Sequence, residues 1–130
     1  MDSNKLAEIF NEQTLQKLFP HDRADQFFDA LLGDASEGAY DIKLAFVGAD
    51  KSFLQFALNL VQRPGCCLAC NLTYGLPDVF ARHPIINIAG LVREIDTLLG
   101  DLANCGEWQL KRTNSVSSSL HAIPLVINLR

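Results

Sequence analysis

The chain has 130 residues, 48% of them hydrophobic and 20% charged, with a formal net charge of −4 and a pI near 5.2. This size and composition are typical of one globular domain with one core, so we expect a single domain over residues 1–130. The chain has no cluster of lysines and arginines and no run near the ~18 apolar residues of a membrane helix. We therefore expect neither nucleic acid nor a membrane as a partner.

The N-terminus and the cysteines bear on the cellular compartment. Residues 1–5 do not show the charged segment that precedes the apolar part of a secretory signal peptide. Four cysteines in such a chain favour reduced thiols over a disulfide framework. We therefore expect a cytoplasmic protein.

The N-terminal quarter has the apolar spacing of helices. The pattern breaks near Asn11 and stops at Pro20, which predicts one kinked helix or two short ones. Asp22 is the candidate N-cap of a further helix, and Gly33 is placed to close it.

Three segments then alternate between apolar and other residues, at 40–47, 52–61 and 66–74. This period predicts strands. Pro64 and Gly65, between the second and third segments, suit the central positions of a tight turn. We expect a hairpin there and an antiparallel meander of all three strands.

The third predicted strand contains most of the cysteines. Cys67 and Cys70 have the C-x-x-C spacing of metal and redox motifs, and a ligand set could be completed by Cys66, Cys105, His83 and His121. On a strand, however, residues three apart point to opposite faces, and a redox C-x-x-C normally lies at a helix N-terminus. We favour buried structural thiols with no metal or cofactor, and keep a thiol-based metal or redox site as the alternative.

The segment 74–84 is the least regular in the chain and follows a predicted strand, where binding groups are often found. The candidate ligand-binding residues are those of this segment together with one histidine of the last strand: Tyr74, Asp78, Arg82, His83 and His121. In the alternative, purely structural interpretation, Asp78 caps a helical turn and pairs with Arg82, while His83 packs before a proline.

The clearest amphipathic helix is predicted over 88–99, with Asn87 as its possible cap. Gly90 lies inside this helix, at a cost of about 1 kcal/mol relative to alanine. It therefore indicates close packing on the sheet.

Two strands are predicted near the C-terminus, at 107–113 and 120–129, with a serine-rich loop between them. Pro124 cannot donate to a ladder of strand hydrogen bonds. We therefore expect the last strand to be an edge strand or to carry a bulge.

These elements predict an α+β fold, in which an antiparallel sheet of about five strands, in the order α-α-βββ-α-ββ, has its helices on one face. A partly apolar second face would favour a homodimer formed through the sheet. The residues expected on that second face are Val47, Phe53, Val61, Ile123, Leu125 and Ile127.

The sequence supports a binding role better than a catalytic one. It lacks the local motifs of serine hydrolases, phosphate-binding loops and zinc proteases, so we assign no catalytic residue. The first hypothesis is a non-enzymatic binding or regulatory module that recognises a protein or a small ligand and forms a homodimer. The second is the thiol-based metal or redox protein, and a weaker third is a small enzyme with Arg82 and His83 in its pocket.

Overall fold

A computed structural model describes residues 3–34, 38, 40–66 and 75–130 of the chain. In these residues a five-stranded antiparallel sheet has its helices on one face, which confirms the predicted fold class. The helices are α1 (Ser3–Ile9), α2 (Glu12–Leu18), α3 (Arg23–Leu32), α4 (Leu76–Arg82) and α5 (Ile88–Leu99). The strands are β1 (Tyr40–Ala49), β2 (Phe53–Gln62), β3 (Cys105–Leu110), β4 (Asn114–Ser117) and β5 (Leu120–Leu129). None of these helices is long and apolar enough to cross a membrane.

The N-terminal helices follow the sequence signals with one exception. Asn11 separates α1 from α2 and caps α2, because its side-chain Oδ1 accepts the backbone N–H of Thr14 at 2.9 Å. Gly33 closes α3 in the left-handed conformation, as expected. Asp22 occupies the predicted N-cap position of α3, but it has helical backbone angles and its side chain makes no capping hydrogen bond.

The order of strands in the sheet is β1-β2-β5-β3, and β4 also pairs with β5. β2 lies between β1 and β5 and is antiparallel to both, so both of its edges are occupied. The predicted hairpin between β2 and residues 66–74 was therefore wrong, and residues 67–74 lie outside the described residues. The turn itself is as predicted, since Gly65 has a φ of +77° and the N–H of Cys66 donates to the carbonyl of Arg63 at 3.0 Å.

The C-terminal strands supply the rest of the sheet. Residues 114–117, predicted as a loop, form β4, and residues 111–113 separate β4 from β3 along the same side of β5. Pro124 lies in the inner strand β5 rather than at an edge, and its carbonyl accepts the N–H of Lys111 at 2.8 Å. The missing N–H of Pro124 thus faces the interruption between β3 and β4, and β5 pairs with β2 through Pro124 without a bulge, so neither the predicted edge position nor the predicted bulge is observed.

The helices and the covered face of the sheet enclose one hydrophobic core. The two inner strands and all five helices contribute its fully buried side chains, which include Leu6, Phe19, Phe27, Leu54, Phe56, Leu58, Leu60, Phe80, Ile88, Ile95, Ile123, Leu125 and Ile127. Ile123, Leu125 and Ile127 were expected on the opposite face. That expectation was wrong because β5 is apolar on both sides, so its alternation does not distinguish them.

The helix α5 begins at the predicted cap. Asn87 accepts the N–H of Gly90 at 3.2 Å through its side chain. A Cβ added to Gly90 would overlap this Asn87 side chain and would not meet the sheet. The glycine therefore accommodates the cap, and the predicted close packing on the sheet was wrong.

Candidate functional site

The polar residues of α4 do not form a cluster. Asp78 lies in the first turn of α4, after Gly75 and Pro77, so it is not the N-terminal cap of the helix. Asp78 and Arg82 are both exposed. Tyr74 lies outside the described residues, and its predicted role stays a prediction.

His83 follows α4 and is half-buried. Its ring lies edge-on to Phe27, with 4.9 Å between ring centroids, and its Nδ1 accepts the N–H of Ile85 at 3.2 Å. Its carbonyl accepts the N–H of Asn87. These contacts hold α4 against α3 and shape the connection to α5.

His121 is buried on the covered face of β5, with 4% of its surface exposed. Its Nε2 lies 3.2 Å from the Oγ of Ser115, the residue opposite it on β4. A serine beside a histidine is half of a nucleophile–base arrangement. Here the pair spans two adjacent strands, and we interpret it as a hydrogen bond that attaches the short strand β4 to β5.

The described cysteines lie at opposite ends of the sheet. Cys66 follows the last residue of β2, and its Sγ lies 3.9 Å from the carbonyl oxygen of Gly38. Cys105 opens β3 opposite Leu129, whose N–H donates to the carbonyl of Ser52 just before β2. Since a ten-residue strand is about 33 Å long, these two thiols cannot bind the same ion. Cys67 and Cys70 lie outside the described residues, among which no group of three potential metal ligands is found.

The surroundings of Cys105 make it a poor nucleophile. Burial and the neighbouring Asp96 carboxylate raise the pKa of the Cys105 thiol to about 11. The same carboxylate accepts the backbone N–H of Cys105 at 2.8 Å. The thiol therefore stays protonated at neutral pH, which is typical of a structural cysteine.

Arg63 is the centre of a charged cluster at the end of β2. Its Nη2 lies 2.6 Å from Asp25 on α3, and its Nε lies 3.0 Å from Asp41 on β1. Its Nη1 donates to the carbonyl of Gly38 at 3.3 Å. Burial raises the pKa of Tyr40, at the start of β1, and the positive charge of Arg63 partly opposes that shift. This cluster fixes α3, β1 and the turn after β2 to one another.

The face of the sheet opposite the helices is not covered by any described helix. Its central row, Ala45, Ala57 and Pro124, runs across β1, β2 and β5. Ala57 is only 8% exposed but does not belong to the core cluster, so its immediate neighbours on the sheet shield it. We define the open face by the residues Lys43, Ala45, Val47, Phe53, Gln55, Ala57, Asn59, Val61, Leu120, Ala122, Pro124 and Val126, none of which is in the helix-covered core.

No family model, curated protein or solved structure matches this chain. Its function is therefore argued from its own surfaces. The open face contains three residues expected there from the sequence, Val47, Phe53 and Val61. Two of them, Phe53 and Val61, lie in β2 and were predictable because residues alternate between the two faces of a strand.

Proposed function

We propose that the chain is a cytoplasmic, non-enzymatic binding module that forms a homodimer through the open face of its sheet. The observation that carries this proposal is the one-sided architecture. In the described part of the chain all helices pack on one face of the sheet, and the other has an apolar centre on β1, β2 and β5 with polar residues such as Asp41, Gln109 and Asn128 at its margins. Contiguous surfaces of this kind are typical of interaction sites.

The centre of the open face suits a second copy of the same chain. Ala45, Ala57 and Pro124 have short side chains, so two such faces can approach to the ~10 Å that separates packed sheets. A face with small residues at its centre can therefore pack against a second copy of itself. Gln55 and Asn59 beside this row are half-buried amides that can hydrogen-bond across the interface.

The size of the open face is also adequate. Strands β1, β2 and β5 are ten residues long. Four strands side by side, about 4.8 Å apart, make a face roughly 33 Å long and 19 Å wide, with an area of about 600 Å². Two copies would bury about 1,200 Å², at the lower end of the range for stable interfaces. We therefore expect a reversible dimer with a Kd of about 1–100 μM.

Sedimentation velocity from about 5 to 500 μM tests the proposal. We expect a monomer–dimer equilibrium for the native chain and a monomer for Ala57→Arg, whose charge would lie at the centre of the interface. Ala30→Arg, the same change at an exposed position of α3, is the control and should dimerise normally. Gln55→Lys is a second, milder variant if Ala57→Arg fails to fold. A native chain that stays monomeric, or an Ala57→Arg dimer of native affinity, would refute the proposal.

One observation favours the thiol alternative as a second candidate. The argument against a site at Cys66, Cys67 and Cys70 placed them on a strand in a hairpin with β2, and β2 has no free edge for such a strand. Native mass spectrometry of protein purified without chelator would measure bound zinc or iron. If this candidate is correct, Cys70→Ser should remove one equivalent of metal. Cys105→Ser, a change at the other end of the sheet, should remove none.

A further inference from the structure

Two adjoining grooves follow the outer side of α5. The first has a volume of about 310 Å³ and lies between the start of α3 and the first half of α5, where Arg23, Asn87 and Arg93 line it. The second, of about 380 Å³, lies between α2 and the second half of α5 and is lined by Leu18 and Leu98. Both volumes are within the range of small-molecule sites.

The two grooves adjoin along α5, where they share wall residues, and we treat them as one surface channel. Glu94 and Thr97 line both of them, at the middle of α5. One end of the channel has two arginines, and the other has the partly exposed side chain of Leu98 over the buried Leu18, with Lys17 at its wall. We call it the α5 channel.

The cationic end is positioned but not neutralised. The guanidinium of Arg23 lies over the ring of Phe19, 4.8 Å from its centroid, which restricts its side chain. Within residues 3–34, 38, 40–66 and 75–130, neither Arg23 nor Arg93 has a carboxylate within salt-bridge distance. Guanidinium groups bind carboxylates and phosphates through paired hydrogen bonds.

We propose that the α5 channel binds a small amphipathic anion, with its acidic head on Arg23 and Arg93 and its apolar tail along Leu18 and Leu98. The charges of Arg23 and Arg93 bind the head, and the apolar surface of Leu18 and Leu98 places the tail. Glu94 lies between the two ends, so its carboxylate weakens binding of the head. This channel lies on the helical side of the molecule, and its occupancy does not depend on dimerisation through the open face.

Decanoate is a suitable probe, with decanol and acetate as matched compounds that lack the charge or the tail. In ¹H–¹⁵N correlation spectra we expect decanoate to shift the amide signals of α5 from Asn87 to Leu98, and decanol and acetate to bind at least about fivefold more weakly. Arg23→Gln and Arg93→Gln should each weaken decanoate binding about fivefold. Arg112→Gln, at an exposed arginine outside the channel, should leave it unchanged.

Glu94→Gln separates this proposal from unspecific adsorption. Removing the carboxylate should strengthen decanoate binding severalfold and leave decanol unaffected. The proposal is overturned if decanol binds as well as decanoate, if Arg112→Gln weakens binding as much as Arg23→Gln does, or if Glu94→Gln has no effect. If these binding tests fail, the proposal of a homodimer is not affected. If sedimentation shows a monomeric native chain, the proposal for the α5 channel is not affected.

Discussion

Replacing Arg63 with alanine should destabilise the fold through several distant elements at once. The side chain is only 16% exposed and makes two ion pairs and a hydrogen bond to a carbonyl. Its guanidinium also lies 5.4 Å from the centroid of the Phe28 ring. The partners belong to α3, to β1 and to Gly38, so the loss affects the attachment of α3 to the sheet.

The magnitude follows from the exposure of the partners. Hydrogen bonds to a charged group contribute about 1.5–3 kcal/mol each when both partners are buried. Asp25 and Asp41 are 53% and 46% exposed, so water solvates both carboxylates once Arg63 is removed. We therefore expect a total loss of about 1–2 kcal/mol, below the cost of breaking a buried pair.

Urea unfolding followed by circular dichroism measures this loss. With a slope of about 1.5 kcal/mol/M, the midpoint should fall by about 1 M. Arg112→Ala removes an exposed arginine and should change stability by less than about 0.5 kcal/mol. Arg63→Ala with as small an effect as Arg112→Ala would refute the bridging role, as would a double-mutant cycle with Asp25→Asn that shows no coupling.

Three further predictions concern single groups. Because the pKa of Cys105 is about 11, its thiol should react with a disulfide reagent at pH 8 about a hundredfold more slowly than an ordinary cysteine. Asp96→Asn should accelerate this reaction. A Cys105 thiol that reacts as fast as it does in unfolded protein would contradict the prediction. Tyr40 has a raised pKa, so above about pH 10 the unfolded chain loses a proton that the folded chain keeps. The free energy of unfolding should therefore fall as the pH rises. Absorbance at 295 nm measures tyrosine ionisation, and ionisation of Tyr40 near pH 10 in the folded protein would contradict this. Replacing a glycine inside a helix with alanine usually raises the free energy of unfolding by ~1 kcal/mol. Gly90→Ala should not give this increase, because the added methyl group would displace the Asn87 side chain that caps the helix. An increase of that size in urea unfolding would show that the cap is unimportant.

Local chemistry in the sequence was sufficient for much of the fold. The break at Asn11, the turn at Pro64 and Gly65, and the cap at Asn87 each depend on residues within four positions of one another. The class of the fold followed from the one-sided polarity of the strands. Such features are predictable because the interactions that cause them are close in sequence.

The arrangement of strands was not predictable in this way. β5 pairs with β2 across about sixty residues of intervening chain, and no turn signal records that pairing. Its sequence is apolar on both sides, so the face on which Ile123 and Leu125 lie depends on which partners cover it. Long-range pairing therefore decided both the position of β5 and the composition of the open face.

The candidate sites show the same limit. Polarity drew attention to Asp78, Arg82 and His83, yet the first two are exposed on α4 and the third packs against Phe27. The α5 channel was missed because its walls come from α5 and from α2 and α3, which are far from α5 in sequence. A single arginine in each of two predicted helices, such as Arg23 and Arg93, carries no signal until tertiary structure brings the helices together.

The measurement that tests the central claim most directly is a concentration series of ¹H–¹⁵N correlation spectra on the native chain. Dimerisation through the open face predicts that, as concentration rises, signals shift or broaden for amides of Ala45, Gln55, Ala57 and Val126, while those of α3 and α4 stay constant. Spectra that do not change with concentration, or changes confined to the helices, would contradict the proposed use of the open face.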